Sequence, residues 1–116
     1  MTYRDVLDFV GALRSVGYEE KILLRWLLEL EGRMAVSVRG EAVGGVPSYS
    51  EKFDPSTPLL VTAPFERVYW TYLVAMIDLA CGDRAAYAAS YPLFLEAYDE
   101  YARWFARHKT NKKGEM

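Results

Sequence analysis

The stretch YAASYPLFLEAYDEYARWF, residues 87–105, decides the fold of this chain. Read as one helix, it aligns six aromatic residues on a single face at alternating steps of four and three: Tyr87, Tyr91, Phe94, Tyr98, Tyr101 and Phe105. Such a face is typical of a core seam and needs partner helices to bury it. Pro92 must kink or restart this helix, and the continuous stripe on both sides of it favours a kink.

Working outward, apolar residues at helical spacing predict three further helices. The predicted boundaries are about 3–14, 18–38, 63–81 and, for the aromatic helix, 84–107. Gly82 can end the third helix and Asp83 can cap the fourth, which predicts a tight C-terminal helical hairpin. The fold class is therefore all-α, with one four-helix domain over residues 1–108 and a flexible basic tail at 109–116.

Local signals support these boundaries. Thr2 and Asp5 have the spacing of a capping box, and Gly17 is the expected site of a positive φ before the second helix. Pro64 is expected in the first turn of the third helix, where its missing amide is not needed. The apolar face of the first helix is predicted from four residues: Val6, Phe9, Val10 and Leu13. Residues 34–38 alternate in a way that a short strand would also explain.

A long connection at residues 39–62, rich in Gly, Pro and Ser, separates the second and third helices. Connections of this length are functional, disordered or carry unrecognised strands. Tyr49 and Phe53 are either pinned to the body or offered to a partner. Trp70 lies off the apolar face of its helix.

Composition describes an ordinary globular protein, with 52% hydrophobic, 26% charged residues and a net charge of −2. The charge is unevenly distributed, because residues 1–102 carry nine Lys and Arg against fifteen Asp and Glu, whereas residues 103–116 carry five against one. An acidic body disfavours nucleic-acid binding. No signal peptide or membrane-spanning run is recognised, so a soluble, untargeted protein is expected.

Residues able to carry out chemistry are few. Cys81 is expected to be a buried apolar residue, His108 to lie at a frayed helix end, and Asp78 to be a partly exposed salt-bridge residue. The acidic run Glu96, Asp99 and Glu100 has the spacing used by helical metal-dependent hydrolases, but a second acidic set is missing. The expectation is no enzyme, no cofactor and no metal site.

Four stretches together resemble a known family: MTYRDVLDFV (1–10), KILLRWLLELEGRM (21–34), LLVTAPFERVYWTYLVAMIDLACGD (59–83) and YAASYPLFLEAYDEYARWF (87–105). They are similar to head-tail connector, or head completion, proteins of tailed phages and of prophages of Gram-positive bacteria. The chain departs from the family's usual pattern at MAVSVRG (34–40) and at Pro92.

The resemblance implies a structural virion protein that forms a ring of about twelve or more copies beneath the portal and joins head to tail. Its partners would be other copies, the portal, tail-side neck proteins and DNA in passage. Its place would be the host cytoplasm during assembly and then the virion neck. The residues expected to make contacts are Tyr49, Phe53, Trp70, Trp104, Arg107, Lys109, Lys112 and Lys113, the basic ones toward the portal.

Two other interpretations stay open. One is a small helical adaptor or regulatory protein that binds a single phage or host protein. The other is a metal-dependent hydrolase built on the helix that carries Glu96.

Overall fold

The computed structural model describes residues 1–14, 19–44, 49–50 and 52–114, with side chains as far as His108. Four helices follow in the order α1 (Tyr3–Leu13), α2 (Glu20–Ser37), α3 (Arg67–Ala80) and α4 (Arg84–Gly114). Among these residues the extended pairing is limited to one antiparallel bridge, between Thr2 and Pro58. The fold is all-α, which confirms the class that the apolar spacing predicts. The predicted turn at Gly17 lies outside the described residues.

Helix α3 is the centre of the domain, and it packs against each of the other three helices. Its side chains are buried nearly all the way round: Val68, Tyr69, Thr71, Tyr72, Leu73, Val74, Ala75, Ile77 and Asp78. Within the described part of the chain, α4 packs along α3 but not against α1 or α2. The molecule is therefore a three-sided bundle around one nearly apolar helix.

The aromatic stripe of α4 lies where the spacing predicts. Phe94 and Tyr101 are buried, with the ring of Phe94 centred 4.9 Å from that of Tyr72. The other four members of the stripe are half-buried along the edge of the same interface. The helix is continuous through Pro92, so a restart of the helix at this proline is ruled out.

Helix ends follow most of the predicted signals. Thr2 and Asp5 form the capping box, with Asp5 N to Thr2 Oγ1 at 3.2 Å and Thr2 N to Asp5 Oδ2 at 2.9 Å. Gly82 has φ of 75°, and the amide of Ala86 donates to Asp83 Oδ1 at 3.0 Å, so the hairpin turn is confirmed.

Two predicted ends differ from the structure. Helix α3 begins only at Arg67, after a turn closed by Phe65 N to Thr62 O, so Pro64 is not in its first turn. By contrast, residues 34–37 are helical, which confirms the predicted end of the second helix near residue 38 over the strand alternative. At the other end of the chain, the helical backbone of α4 continues past the predicted residue 107 to Gly114. The flexibility of the tail stays a prediction.

The described part of the long connection returns along the N-terminal segment. The amide of Arg4 donates to the carbonyl of Pro55 at 2.8 Å, and that of Leu59 donates to Met1 O at 3.0 Å. Leu59 and Val61 then enter the core. Because its backbone hydrogen-bonds to the N-terminal residues and two of its side chains are buried in the core, the segment is part of the domain.

A buried carboxylate fastens this returning segment. Glu31 on α2 is 1% exposed, and its two oxygens accept from three groups on three different segments. Tyr69 Oη donates at 2.7 Å, the amide of Leu60 at 2.9 Å, and Tyr3 Oη at 3.4 Å. Tyr69 Oη in turn accepts from the amide of Val61 at 2.8 Å. The cluster joins α1, α2, α3 and the connection.

Burial raises the pKa of Glu31, although the hydrogen bonds from Tyr69, Leu60 and Tyr3 favour the charged form. Its proton is therefore held more tightly in the folded than in the unfolded chain. The stabilisation from this difference is fully present below the unfolded pKa and is lost as pH rises through the folded value.

Replacing Glu31 by Gln removes this titration. As pH rises, the free energy of unfolding of the wild type should therefore fall relative to that of the variant. Urea unfolding of both proteins over a series of pH values, from acid to mildly alkaline, would measure the difference in free energy of unfolding. Glu29→Gln, at an exposed position on the same helix, is the control and should show no such trend. A gap that widens with pH would contradict the assignment.

Candidate interaction surface

The two aromatic residues of the connection are held by the body. Phe53 packs edge-on against Tyr3 with ring centroids 4.8 Å apart. The guanidinium of Arg25 lies over the ring of Tyr49, 4.7 Å from its centroid, and Tyr49 is half-buried. The structure therefore favours the alternative in which Tyr49 and Phe53 pack against the rest of the domain.

The two candidate tryptophans are also half-buried. Trp70 packs edge-on against Phe9 of α1, with centroids 5.3 Å apart. Trp104 packs on Phe65 at 5.0 Å and on the ring of His108 at 4.2 Å. Each tryptophan leaves part of its ring at the surface, Trp70 between helices and Trp104 near the far end of α4.

The basic candidates lie at the end of α4. Arg107 is exposed, while the side chains of Lys109, Lys112 and Lys113 fall outside the described ones. Their backbone is helical. Nearer the body, Phe105 of α4 contacts Arg39, whose guanidinium lies 5.4 Å from the centre of the Phe105 ring. From Phe105 the helix continues about 13 Å to Gly114 at 1.5 Å per residue.

Helix α1 buries a different face from the predicted one. Tyr3 and Leu7 enter the core with Val6 and Val10, whereas two predicted core residues, Phe9 and Leu13, are each 43% exposed. Tyr3, Val6, Leu7 and Val10 have helical spacing as regular as the set that the sequence favoured. Since α1 has two overlapping apolar faces, only the position of its neighbours decides between them.

Exposed apolar side chains remain on two helices: Phe9 and Leu13 on α1, and Leu93 on α4. The two helices do not pack against one another in the described structure. Leu93 is 49% exposed. Leu93 lies on the same edge of α4 as Glu100, whose carboxylate pairs with Arg67 of α3 at 3.7 Å. Phe105, whose ring contacts the guanidinium of Arg39, lies on the opposite edge of α4.

A partly buried ion pair lies where the ends of α1 and α3 meet the start of α4. Asp78 is 4% exposed, so the expectation of a partly exposed carboxylate is wrong, although the predicted salt bridge is present. Arg14 Nε and Nη2 donate to its two oxygens at 2.9 and 3.1 Å, and Ser90 Oγ donates at 2.7 Å. The carboxylate therefore joins the end of α1, the end of α3 and the start of α4.

The hydrogen bond from Arg14, followed by that from Ser90, lowers the pKa of Asp78 against the opposing effect of burial. Asp78 also borders a surface cavity of about 180 Å³ between the ends of α3 and α4. A carboxylate held by a bidentate guanidinium has a fixed charge and is a poor proton carrier at neutral pH. We interpret this cluster as a structural contact that holds the ends of α1 and α3 to the start of α4.

The remaining chemical candidates occupy surface positions. Cys81 is exposed rather than buried, because it follows the last turn of α3. His108 is exposed, and its Nδ1 donates to the carbonyl of Trp104 at 2.8 Å. Asp99 pairs with Arg103 at 2.9 Å. Across the described residues, no group of three or more His, Cys, Asp or Glu side chains is arranged to hold a metal ion.

The chain has no match among protein-family models, curated proteins or solved structures. Among the helices of the described residues, none combines the length and apolar character needed to cross a bilayer.

Replacing Arg14 by Met should lower the free energy of unfolding by about 1–3 kcal/mol at neutral pH, because it leaves a buried carboxylate with one hydroxyl donor. Since the pKa of Asp78 is lowered in the folded state, this stabilisation is present above the unfolded pKa and is lost as pH falls through the folded value. The difference in free energy of unfolding between variant and wild type should therefore become smaller at acid pH.

Denaturant unfolding across the acid range would measure that gap. Arg103→Met is the matched control, since it breaks an exposed pair within one helix that contributes about 0.5 kcal/mol or less. Equal losses for the two variants would contradict the assigned role of Arg14.

Proposed function

We propose that this protein is a head-tail connector subunit of a tailed phage or prophage, which assembles as a ring below the portal and joins the head to the tail. The resemblance of four stretches of sequence is its starting point. These stretches span all of α3, most of α1 and α2, residues 87–105 of α4 and residues 59–61 of the returning segment.

The observation that carries the proposal is the surface of the domain. A subunit that works by assembly needs apolar and aromatic side chains outside its own core. Several large apolar side chains remain exposed in the monomer: Phe9, Leu13, Val43, Leu79, Leu93 and Leu95. They are distributed over α1, α3, α4 and the connection, and in this proposal they supply the contacts with neighbouring subunits.

The charge distribution also suits this role. The body is acidic, and a channel with an acidic wall would not retain passing DNA. The basic residues are concentrated at the end of α4 that projects from the body. In this proposal the partners are other copies of the chain, the portal and tail-side neck proteins, and DNA is only in passage.

Sedimentation velocity of the protein with the portal encoded beside it tests the proposal. We expect co-sedimentation near a ratio of about twelve subunits per portal ring, which is the ring size that the resemblance implies for a closed cyclic assembly. The portal alone and the protein alone are the controls. If the two proteins stay separate at high concentrations of both, the connector assignment fails, and a helical adaptor with one single-copy partner takes its place.

A further inference from the structure

One segment of α4 lacks charge on every side of the helix. Residues 85–95, AAYAASYPLFL, contain no charged side chain over about three turns. A helix at the surface of a domain normally carries charged or polar residues on the side that faces water. A helix without them is typical of a segment that is covered all round, so this part of α4 has the composition of a core helix.

Only one side of this segment is covered in the monomer. Within the described residues, α4 packs against α3 and no other helix. Ser90 and Phe94 face α3 and are buried. By contrast, Leu93 and Leu95 are 49% and 47% exposed. We define the outer face of α4 by its six exposed apolar residues: Ala85, Ala88, Ala89, Pro92, Leu93 and Leu95.

The shape of the outer face suits a second helix. At 100° per residue, Pro92 lies about 200° around the helix axis from Phe94 and therefore points away from α3. Leu93 and Leu95 lie on either side of Pro92. The alanines before Pro92 are small, and the distance between two packed helices depends on the side chains at their contact. A partner helix can therefore approach α4 closely between the two leucines.

Charges of opposite sign flank the outer face. Arg84 precedes it, is exposed and has no ion-pair partner among the described residues. Asp99 follows it about one turn beyond Leu95 and is exposed beside Arg103. Arg84, Leu95 and Asp99 lie within about 60° of one another around the helix axis. The outer face therefore has a positive end and a negative end along the same side of α4.

A second copy of the chain fits both the apolar surface and the charges. When the outer face packs on itself in the antiparallel orientation, Arg84 of each copy lies opposite Asp99 of the other, and Ala88 lies opposite Leu95. In the parallel orientation, Arg84 would face Arg84 and Asp99 would face Asp99. Like charges repel across a contact, so the charges favour the antiparallel orientation.

We infer that two copies of the chain form an antiparallel dimer through the outer face of α4, with the two-fold axis between Tyr91 and Pro92. A contact of a surface with itself about a two-fold axis is complete with two copies. The inference therefore goes beyond the proposed ring, and it describes the free protein before assembly.

Charge reversal tests the contact. Arg84→Glu alone places two carboxylates opposite each other at both ends of the contact, and Asp99→Lys alone places two cations there. Both changes in one chain restore opposite charges in the antiparallel dimer. Asp99→Lys also removes the exposed pair with Arg103, which contributes little to stability. Arg33→Glu on α2 makes the same change in net charge as Arg84→Glu at an exposed position and is the control.

Sedimentation velocity without the portal at low salt gives the readout. We expect a wild-type dimer with a dissociation constant of about 1–100 μM that weakens at about 0.5 M salt. Each single reversal should raise the dissociation constant at least about tenfold. The double variant and the Arg33→Glu control should match the wild type. A wild type that stays monomeric at about 1 mM overturns the inference, as does a double variant that dimerises no better than the single ones.

The apolar part of the contact has a matched control. Ala88 is exposed in the monomer and lies opposite Leu95 in the dimer. Ala88→Glu should leave the monomer folded and weaken the dimer at least about tenfold, because it places a charge in an apolar contact. Ala12→Glu makes the same change at an exposed position of α1 and should leave the dimer unchanged. Equal effects of the two changes would overturn the assignment of the outer face.

The outcomes separate this inference from the proposed function. Portal binding by a protein that is monomeric on its own overturns the dimer and keeps the connector. A dimer that follows the charge reversals, without any portal binding, supports the contact through α4 and removes the connector.

Discussion

Glu31 is the residue on which the arrangement of the domain depends. Its carboxylate accepts from Tyr3, Tyr69 and the amide of Leu60, which belong to α1, α3 and the returning connection. Burying a carboxylate without hydrogen-bond donors costs too much free energy. The core therefore requires all of these segments to be in place around Glu31. The long connection is thereby part of the structure, and α3 is held at the centre of the bundle.

The second polar cluster has a different character. Around Asp78 the charge is balanced by Arg14, and Ser90 adds a hydroxyl from α4. This pair joins α1 to the hairpin at one end only. Toward the other end Trp70 of α3 packs against Phe9 of α1. In the described structure α1 and α4 themselves do not pack against one another, so the ion pair at Asp78 is what ties α1 to the start of α4.

The fold was largely predictable because its signals are local. The aromatic spacing of α4, the capping box at Thr2 and the turn at Gly82 and Asp83 each depend on neighbours in sequence. The surface was harder to predict from the sequence. Whether Leu7 or Phe9 is buried depends on where α3 lies, which local sequence does not specify. Glu31 carries no local signal at all, since an acidic residue in an amphipathic helix normally faces water.

Helix α4 is more than twice as long as the helix it packs on, with 31 residues against 14. It stays in contact with the body from Ser90, which meets Asp78, as far as Phe105, which lies against Arg39. Beyond these contacts the helix continues about 13 Å to Gly114. A tilt of about 5° at Phe105 would move the tip by only about 1 Å, so the position of the tip follows the packing around Phe105 rather than the packing at Asp78.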